Sequence, residues 1–399
     1  MHAEQLCHKI INSACVWMHK TRRETLGAIV LSAIESQRLT VTSLGRAIKS
    51  DTSEKHNIKR ADRLLSNPHL YQEHTKIYHT MTQRMIGHIV RPIILIDWSD
   101  LDGGRNHFLL RGAVSLAGRS LTLYEEVHTL ETKEKPQTHQ LFIRRLKQIL
   151  PLNCRPIVIT DAGFRTPWFK LIEKQGWDWV GRIRNRHMVK PQGGHSWFDC
   201  KRYYSLATTT AKFLGAVQLT RNHPFPCQMV IYKAKPKGRV RKNLAGERTQ
   251  SKHSKVNAKR EREPWLLATS LPVTSKMAKK VVKLYRTRMQ IEEAFRDTKS
   301  VYFGLGLALN KTQCSKRLQI LLLIGMLATW VLWILGSIAK ATNQHRQYQA
   351  NTVTKRNVLS VIFLGIRVAN DRRFNMTNGD ILRATQYMCN IIESHTVDW

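Results

Sequence analysis

The stretch "RPIILIDWSD", Arg91–Asp100, carries four aliphatic residues without a break into an aspartate, and "RPIVITDAGF", Arg155–Phe164, repeats the pattern. A short apolar run entered through Arg-Pro and closed by an acid predicts a buried strand, with Asp97 at the end of the first and Asp161 at the end of the second. Between them "HFLLRGAVSLAG" and "SLTLYEEVH" read as two further strands after turn signals at Gly103-Gly104 and Gly118. "HQLFIRRLKQIL" follows as an amphipathic helix, and "WDWVGRIR" supplies a fifth strand.

Three hairpin-linked strands, a helix, then strands separated by a helix is the order of a ribonuclease-H-like α/β core. In that topology the first and fourth strands are neighbours, so Asp97 and Asp161 are expected at one edge, where open α/β sheets bind ligands. An aspartate that merely caps a turn or helix is the bland alternative for each.

Outward from this core the chain divides into further parts. Residues 1–88 are poor in Pro and Gly and read as helical, with a basic helix "KHNIKRADRLLSN" carrying Lys59, Arg60 and Arg63. A DNA-reading unit or a packed cap with a solvated face both fit it. Residues 89–185 form the first part of the core. Residues 186–270 break the pattern with turn clusters such as "KPQGGHSWFDC" and strands such as "PCQMVIYKA", and read as a β-rich insertion. Its end, residues 233–262, holds 12 Lys or Arg against two acids, a loop suited to lie along phosphates or a plain solvated linker. Residues 271–340 return to the core through one long helix over Ser275–Lys299 and an apolar segment, Leu318–Ala339. Residues 341–399 form a C-terminal helical region.

The long helix holds "YRTRMQIEEAFRDTKS", Tyr285–Ser300. At roughly 100° per residue, with Tyr285 at zero, Arg288 falls near −60°, Glu292 near −20° and Lys299 near −40°, whereas Glu293 lies near +80°. One narrow face thus mixes Tyr285, Arg288, Glu292 and Lys299. A solvated face of i,i+4 ion pairs is one reading. Two strand-end aspartates and a helical glutamate are the other, because three hard carboxylates suit Mg2+ or Mn2+, and a pair of such ions drives phosphodiester transfer.

Composition favours the second. The 399 residues include 65 Lys or Arg against 28 acids, a formal charge of +37, and 42% hydrophobic residues, which marks a globular chain with a polyanionic partner. Leu318–Ala339 is long enough to cross a membrane, but a core helix looks the same, and the reading adopted has no membrane partner. The N-terminus is too polar for a signal peptide. Seven cysteines without a C-x-x-C spacing point to reduced thiols in the cytoplasm and no structural zinc.

At this point the residues resemble a family. "YRTRMQIEEAFRDTK" fits the Y-(2)-R-(3)-E-(6)-K signature of bacterial Asp-Asp-Glu transposases of the IS-four type, on Tyr285, Arg288, Glu292 and Lys299. "LIDWSD" and "ITDAGF" are similar to that family's two aspartate motifs. The likeness is greatest to the Tn-ten (insertion-sequence-ten) branch, running from "KHNIKR" through "GRSLTLYE" to "QANTVTKRNVLS".

The resemblance implies cut-and-paste transposition. Asp97, Asp161 and Glu292 would be catalytic metal ligands for two Mg2+ ions, with Mn2+ able to substitute, and Tyr285, Arg288 and Lys299 would bind DNA. Trp265 stands where the family has a tryptophan implicated in holding a flipped base, although a core tryptophan on an apolar strand explains it too. The implied partners are transposon inverted-repeat ends, target DNA, a second copy in a synaptic homodimer and host DNA-bending proteins, in the cytoplasm at the nucleoid. The alternatives are a structure-specific nuclease of the same fold and a non-catalytic end-binding protein.

Overall fold

The computed structural model describes residues 1–184, 187–235, 247, 251, 263–353 and 356–395. Most of the basic loop expected over 233–262 lies outside the described residues. Among those described, the chain is mixed α/β, with twelve α-helices and ten strands in two compact units. Met1–Cys154 with Met289–Trp399 forms the first, and Arg155–Arg288 the second.

The first unit begins with five helices, α1 (Ala3–Ala14), α2 (Lys20–Ser36), α3 (Val41–Arg46), α4 (Glu54–Leu65) and α5 (Pro68–Ile86). Caps punctuate them: the Thr40 hydroxyl accepts from Ser43 N–H at the start of α3, and the Asn67 side chain accepts from Leu70 N–H ahead of Pro68 in α5. An antiparallel meander follows, β1 (Ile93–Asp100), β2 (His107–Ser115) and β3 (Ser120–Thr129), in the order β3-β2-β1. After α6 (Pro136–Ile149) the chain enters the second unit.

That unit holds β4 (Ile157–Thr160), α7 (Thr166–Glu173), β5 (Asp178–Ile183), β6 (Met188–Pro191), β7 (Phe198–Asp199), β8 (Lys212–Leu219), β9 (Phe225–Tyr232), β10 (Trp265–Thr269) and α8 (Met277–Arg286). β4 and β5 pair in parallel through the α7 crossover, and β5-β10-β9-β8-β6-β7 continue as antiparallel neighbours. Trp179 is fully buried and stacked on Phe169, with ring centres 4.0 Å apart. Gly181 permits that stack, because a Cβ there would meet the Phe169 ring at 2.4 Å.

The first unit resumes with α9 (Met289–Lys299), α10 (Ser315–Ala341), α11 (Val361–Ala369) and α12 (Asn378–Ser394). The expected single helix over Ser275–Lys299 is therefore wrong. Thr287 and Arg288 form a turn between α8 and α9, so one helical wheel does not carry from Tyr285 to Glu292. The apolar segment proves to be α10, a core helix buried nearly throughout and packed on β3, α2, α11 and α12. It crosses α11 at two glycines: a Cβ on Gly336 would sit 2.0 Å from the Val361 carbonyl oxygen, and one on Gly365 2.0 Å from that of Leu332. The close approach outweighs the roughly 1 kcal/mol that glycine costs a helix. All seven cysteines are free, and six are buried.

Polar atoms inside the first unit are joined in one network. Arg111 on β2 and Glu125 on β3 face each other in register and pair at 2.7 Å, with side chains 4% and 0% exposed. Tyr78 OH of α5 donates to the same carboxylate at 3.0 Å, and the Arg111 guanidinium also donates to Thr298 Oγ1 of α9. The Gln319 amide of α10 donates to the Glu125 carbonyl and accepts from Val127 N–H, covering the free edge of β3. Removing one partner of such a pair strands a buried charge, so Arg111→Met should destabilise the protein by about 3–5 kcal/mol. Urea unfolding should show that loss, together with a smaller one for Thr298→Val.

Candidate active site

Asp97 lies on β1 directly across from Arg111, so Asp97, Arg111 and Glu125 form a row on one face of the three-stranded sheet. Asp97 is 8% exposed, and its Oδ1 accepts from the Trp98 N–H at 2.9 Å. Helix α9 covers this face, through Thr298 and through Phe295, whose ring lies 5.0 Å from the Arg111 guanidinium.

The two glutamates of α9 have different surroundings. Gln290 accepts from Ser115 Oγ and Leu116 N–H, Asp297 pairs with Arg119 at 2.6 Å, and Glu293 pairs with Arg119 at 3.6 Å and with Arg296. This side of the helix docks on the β2–β3 turn, and burial holds the Asp297 carboxyl above its ordinary range even beside Arg119. Glu292 is exposed. It lies seven residues before Lys299, which at 3.6 residues per turn puts the two on one side of the helix, about 20° apart.

Lys299 fixes that side against β1. Its ammonium donates to Ser99 Oγ at 2.6 Å and to the Asp100 carbonyl oxygen. Two of its three N–H groups are thus committed to the strand that carries Asp97, and one is left for a further partner. Burial, reinforced by Arg111 and opposed by Asp100, pushes its pKa down to about 8.

The second unit places the remaining candidates. Asp161 follows β4, half-buried, with Oδ1 accepting from Gly163 N–H at 2.7 Å. Tyr285 on α8 is buried, and Trp265 at the start of β10 meets its ring edge-on at 5.0 Å. Tyr232 adds a third ring, 5.8 Å from Trp265, and Arg286 donates to the Tyr232 hydroxyl at 2.6 Å. Arg288 lies 5.9 Å from the Tyr285 ring centre. Sequence reasoning does not single out Tyr232 or Arg286, nor Arg182 on β5, which donates to the backbone carbonyls of Glu263 and Pro264. A signal for Tyr232 exists in its in-register pairing with Trp265, visible only once β9 and β10 are known to be neighbours.

Of the N-terminal candidates, Lys59 and Arg63 are exposed on α4, whereas Arg60 is partly buried and donates to Thr25. A Cβ on Gly45 would meet the Ile58 backbone at 2.4 Å, so α3 and α4 touch closely at that point.

The Transposase DDE domain family matches residues 89–330, from just before β1 to within α10, more than half of the chain. The chain belongs to the DDE transposase family. No curated protein matches it. DDE transposases cut and transfer DNA strands and generally use divalent metals. Among the described residues no cluster of three or more His, Cys, Asp or Glu stands ready as a metal cage. The donor chemistry of the candidate acids nonetheless fits such ions, since all three offer carboxylate oxygens.

The depressed pKa of Lys299 has a testable sign. In the folded transposase its charged form is disfavoured relative to the ordinary lysine value of 10.5. The penalty is full below about 8 and disappears as pH rises towards 10.5. Across that window the stability of the wild type should therefore improve relative to Lys299→Met, by on the order of 3 kcal/mol. Denaturant unfolding of both proteins at the two ends of the window measures it.

Proposed function

We propose that this DDE transposase is a cut-and-paste enzyme of the IS-four type, closest to the Tn-ten branch, built on a ribonuclease-H-like core. Asp97, Asp161 and Glu292 are its catalytic carboxylates. What carries the reading is the pairing of the matched domain with the seating of α9: Lys299, seven residues after Glu292, is bonded to β1 two residues beyond Asp97. In the proposed division of the chain, residues 1–88 read the transposon ends through α4, 186–270 form a β-rich insertion between the core parts 89–185 and 271–340, and 341–399 complete the helical periphery.

Asp97, Asp161 and Glu292 would hold two Mg2+ ions, or Mn2+ in their place, and such ions would supply charge neutralisation for an in-line attack on phosphorus. Arg288 and the remaining N–H of Lys299 hold DNA phosphate beside the scissile bond. Water first nicks one strand at the inverted-repeat end. The freed 3′ hydroxyl attacks the opposite strand to form a hairpin, which is hydrolysed before the same hydroxyl joins target DNA. A homodimer pairs the two ends, with host DNA-bending proteins assisting, in the cytoplasm at the nucleoid.

Incubation with linear DNA carrying the sequences that flank the gene separates the readings. Joined products identify the transposase, cut ends alone the structure-specific nuclease, and a bare gel shift the end-binding protein. Asp97→Ala, Asp161→Ala and Glu292→Ala should each abolish cleavage and leave the gel shift, whereas Glu293→Gln, which alters only the pairing with Arg119 and Arg296, should cut at near wild-type rate. Normal cutting by any alanine variant removes that residue from the site.

Trp265, braced by Tyr285 and Tyr232, is the proposed platform for the base extruded as the hairpin closes. Stacking on an aromatic ring contributes roughly 1–3 kcal/mol, and tenfold in rate corresponds to about 1.4 kcal/mol. Trp265→Ala should therefore slow hairpin formation by about one to two orders of magnitude while nicked ends accumulate. A time course on a denaturing gel reads both species, and equal loss of nicking and hairpinning would return Trp265 to a core role.

A further inference from the structure

The carboxyl end of β1 gathers more positive charge than its own acids require. Asp100, the last residue of the strand, has its Oδ2 3.3 Å from Arg105 Nε and its Oδ1 3.7 Å from Lys133 Nζ, while Lys299 donates to its backbone carbonyl. The cations come from three separate elements: the β1–β2 turn, the turn after β3, and the end of α9. A second acid, Glu134, lies 3.8 Å from Lys133 and is largely exposed.

Backbone hydrogen bonds fix both turns, while the Arg105 side chain itself is 75% exposed. The Asp102 carboxylate accepts from the N–H groups of Asn106 and His107, fixing the β1–β2 turn, and Arg105 within it adopts φ +55°, a left-handed conformation uncommon for a side chain of its size. Lys133 is anchored by its N–H to the Thr129 carbonyl, and its ammonium rests 4.0 Å over the Phe108 ring. Its neighbour Glu134 is likewise left-handed, at φ +57°. The Phe108 ring face attracts the Lys133 ammonium and presets its position, whereas the left-handed backbone at Arg105 costs free energy. Satisfying the half-exposed Asp100 does not require either, because water would serve a carboxylate at that exposure equally well.

We infer that Arg105 and Lys133 form a phosphate-binding cradle for the DNA backbone at the end of β1, three residues beyond Asp97, with Asp100 holding the two cations side by side until a phosphodiester takes its place between them. The inference rests on the transposase reading and adds to it two residues outside the signature motifs. They are positioning residues: they hold the strand that leads to the candidate acids and take no part in bond making.

The test measures duplex binding by fluorescence anisotropy over a potassium chloride series without divalent cations, for the wild type, Arg105→Gln, Lys133→Gln, the double variant, and Arg383→Gln, on α12, as an exposed control. Glutamine keeps an alkyl stem over Phe108, and thermal unfolding verifies that each variant is folded. Each lost phosphate contact lowers the slope of log K against log salt by about 0.9, so the double variant should fall by about two and Arg383→Gln by nothing comparable. In parallel, bound duplex should protect Lys133 from acetylation in the wild type. A salt-dependent wild type whose slope the double variant keeps, within the change seen for Arg383→Gln, overturns the cradle alone. A wild type that does not bind the duplex in a salt-dependent way overturns the DNA reading and the cradle with it.

Discussion

The buried pair of Arg111 and Glu125 is the constraint on which the first unit depends. A guanidinium and a carboxylate removed from water are tolerated only when nearly every donor and lone pair is used. Here Tyr78, Thr298 and the two charged groups themselves supply the partners. Because Thr298 belongs to α9 and Tyr78 to α5, satisfying the pair fixes two helices on the sheet at once. Asp97 sits beside Arg111 in the same row, so the helix that completes the polar network also covers the candidate carboxylate.

Helix α9 consequently has two chemical sides with different work. Gln290, Glu293 and Asp297 clasp the turn between β2 and β3, an arrangement that needs charge but no ligand. Glu292 and Lys299 share the other side, and the lysine is bonded to the last residues of β1 rather than left to solvent. Its lowered pKa follows from that seat: an ammonium half-stripped of water beside Arg111 is easier to deprotonate. The adjacent glutamates therefore differ in surroundings, Glu293 half-buried against Arg119 and Arg296 and Glu292 exposed on the side of Lys299.

In the second unit the comparable constraint is aromatic. Trp179 is held between Phe169 and Phe225, and Trp265, Tyr232 and Tyr285 meet at the opposite end of neighbouring strands. Arginines surround the second group, with Arg286 bonded to Tyr232 and Arg182 donating to the backbone at residues 263 and 264. Rings edged by guanidinium groups suit an unpaired base with its phosphate better than either component alone.

Much of this was legible in the sequence because local patterns carry it. The aliphatic runs before Asp97 and Asp161 define strands wherever they pack, the β2–β3 hairpin is written in its turn residues, and the seven-residue spacing of Glu292 and Lys299 places both on one helix side. A wheel could not see that the helix stops at Thr287, since nothing in "YRTRMQ" breaks a helix locally. Nor could it separate Glu292 from Glu293 by environment, distinguish α10 from a membrane span, or find Arg111, Arg119, Arg105 and Lys133. Those assignments depend on which strand lies beside which and which turn meets which helix. Sequence fixes periodicity within an element, whereas the partners of a buried charge lie from 14 to 187 positions away, and only packing brings them within hydrogen-bonding distance.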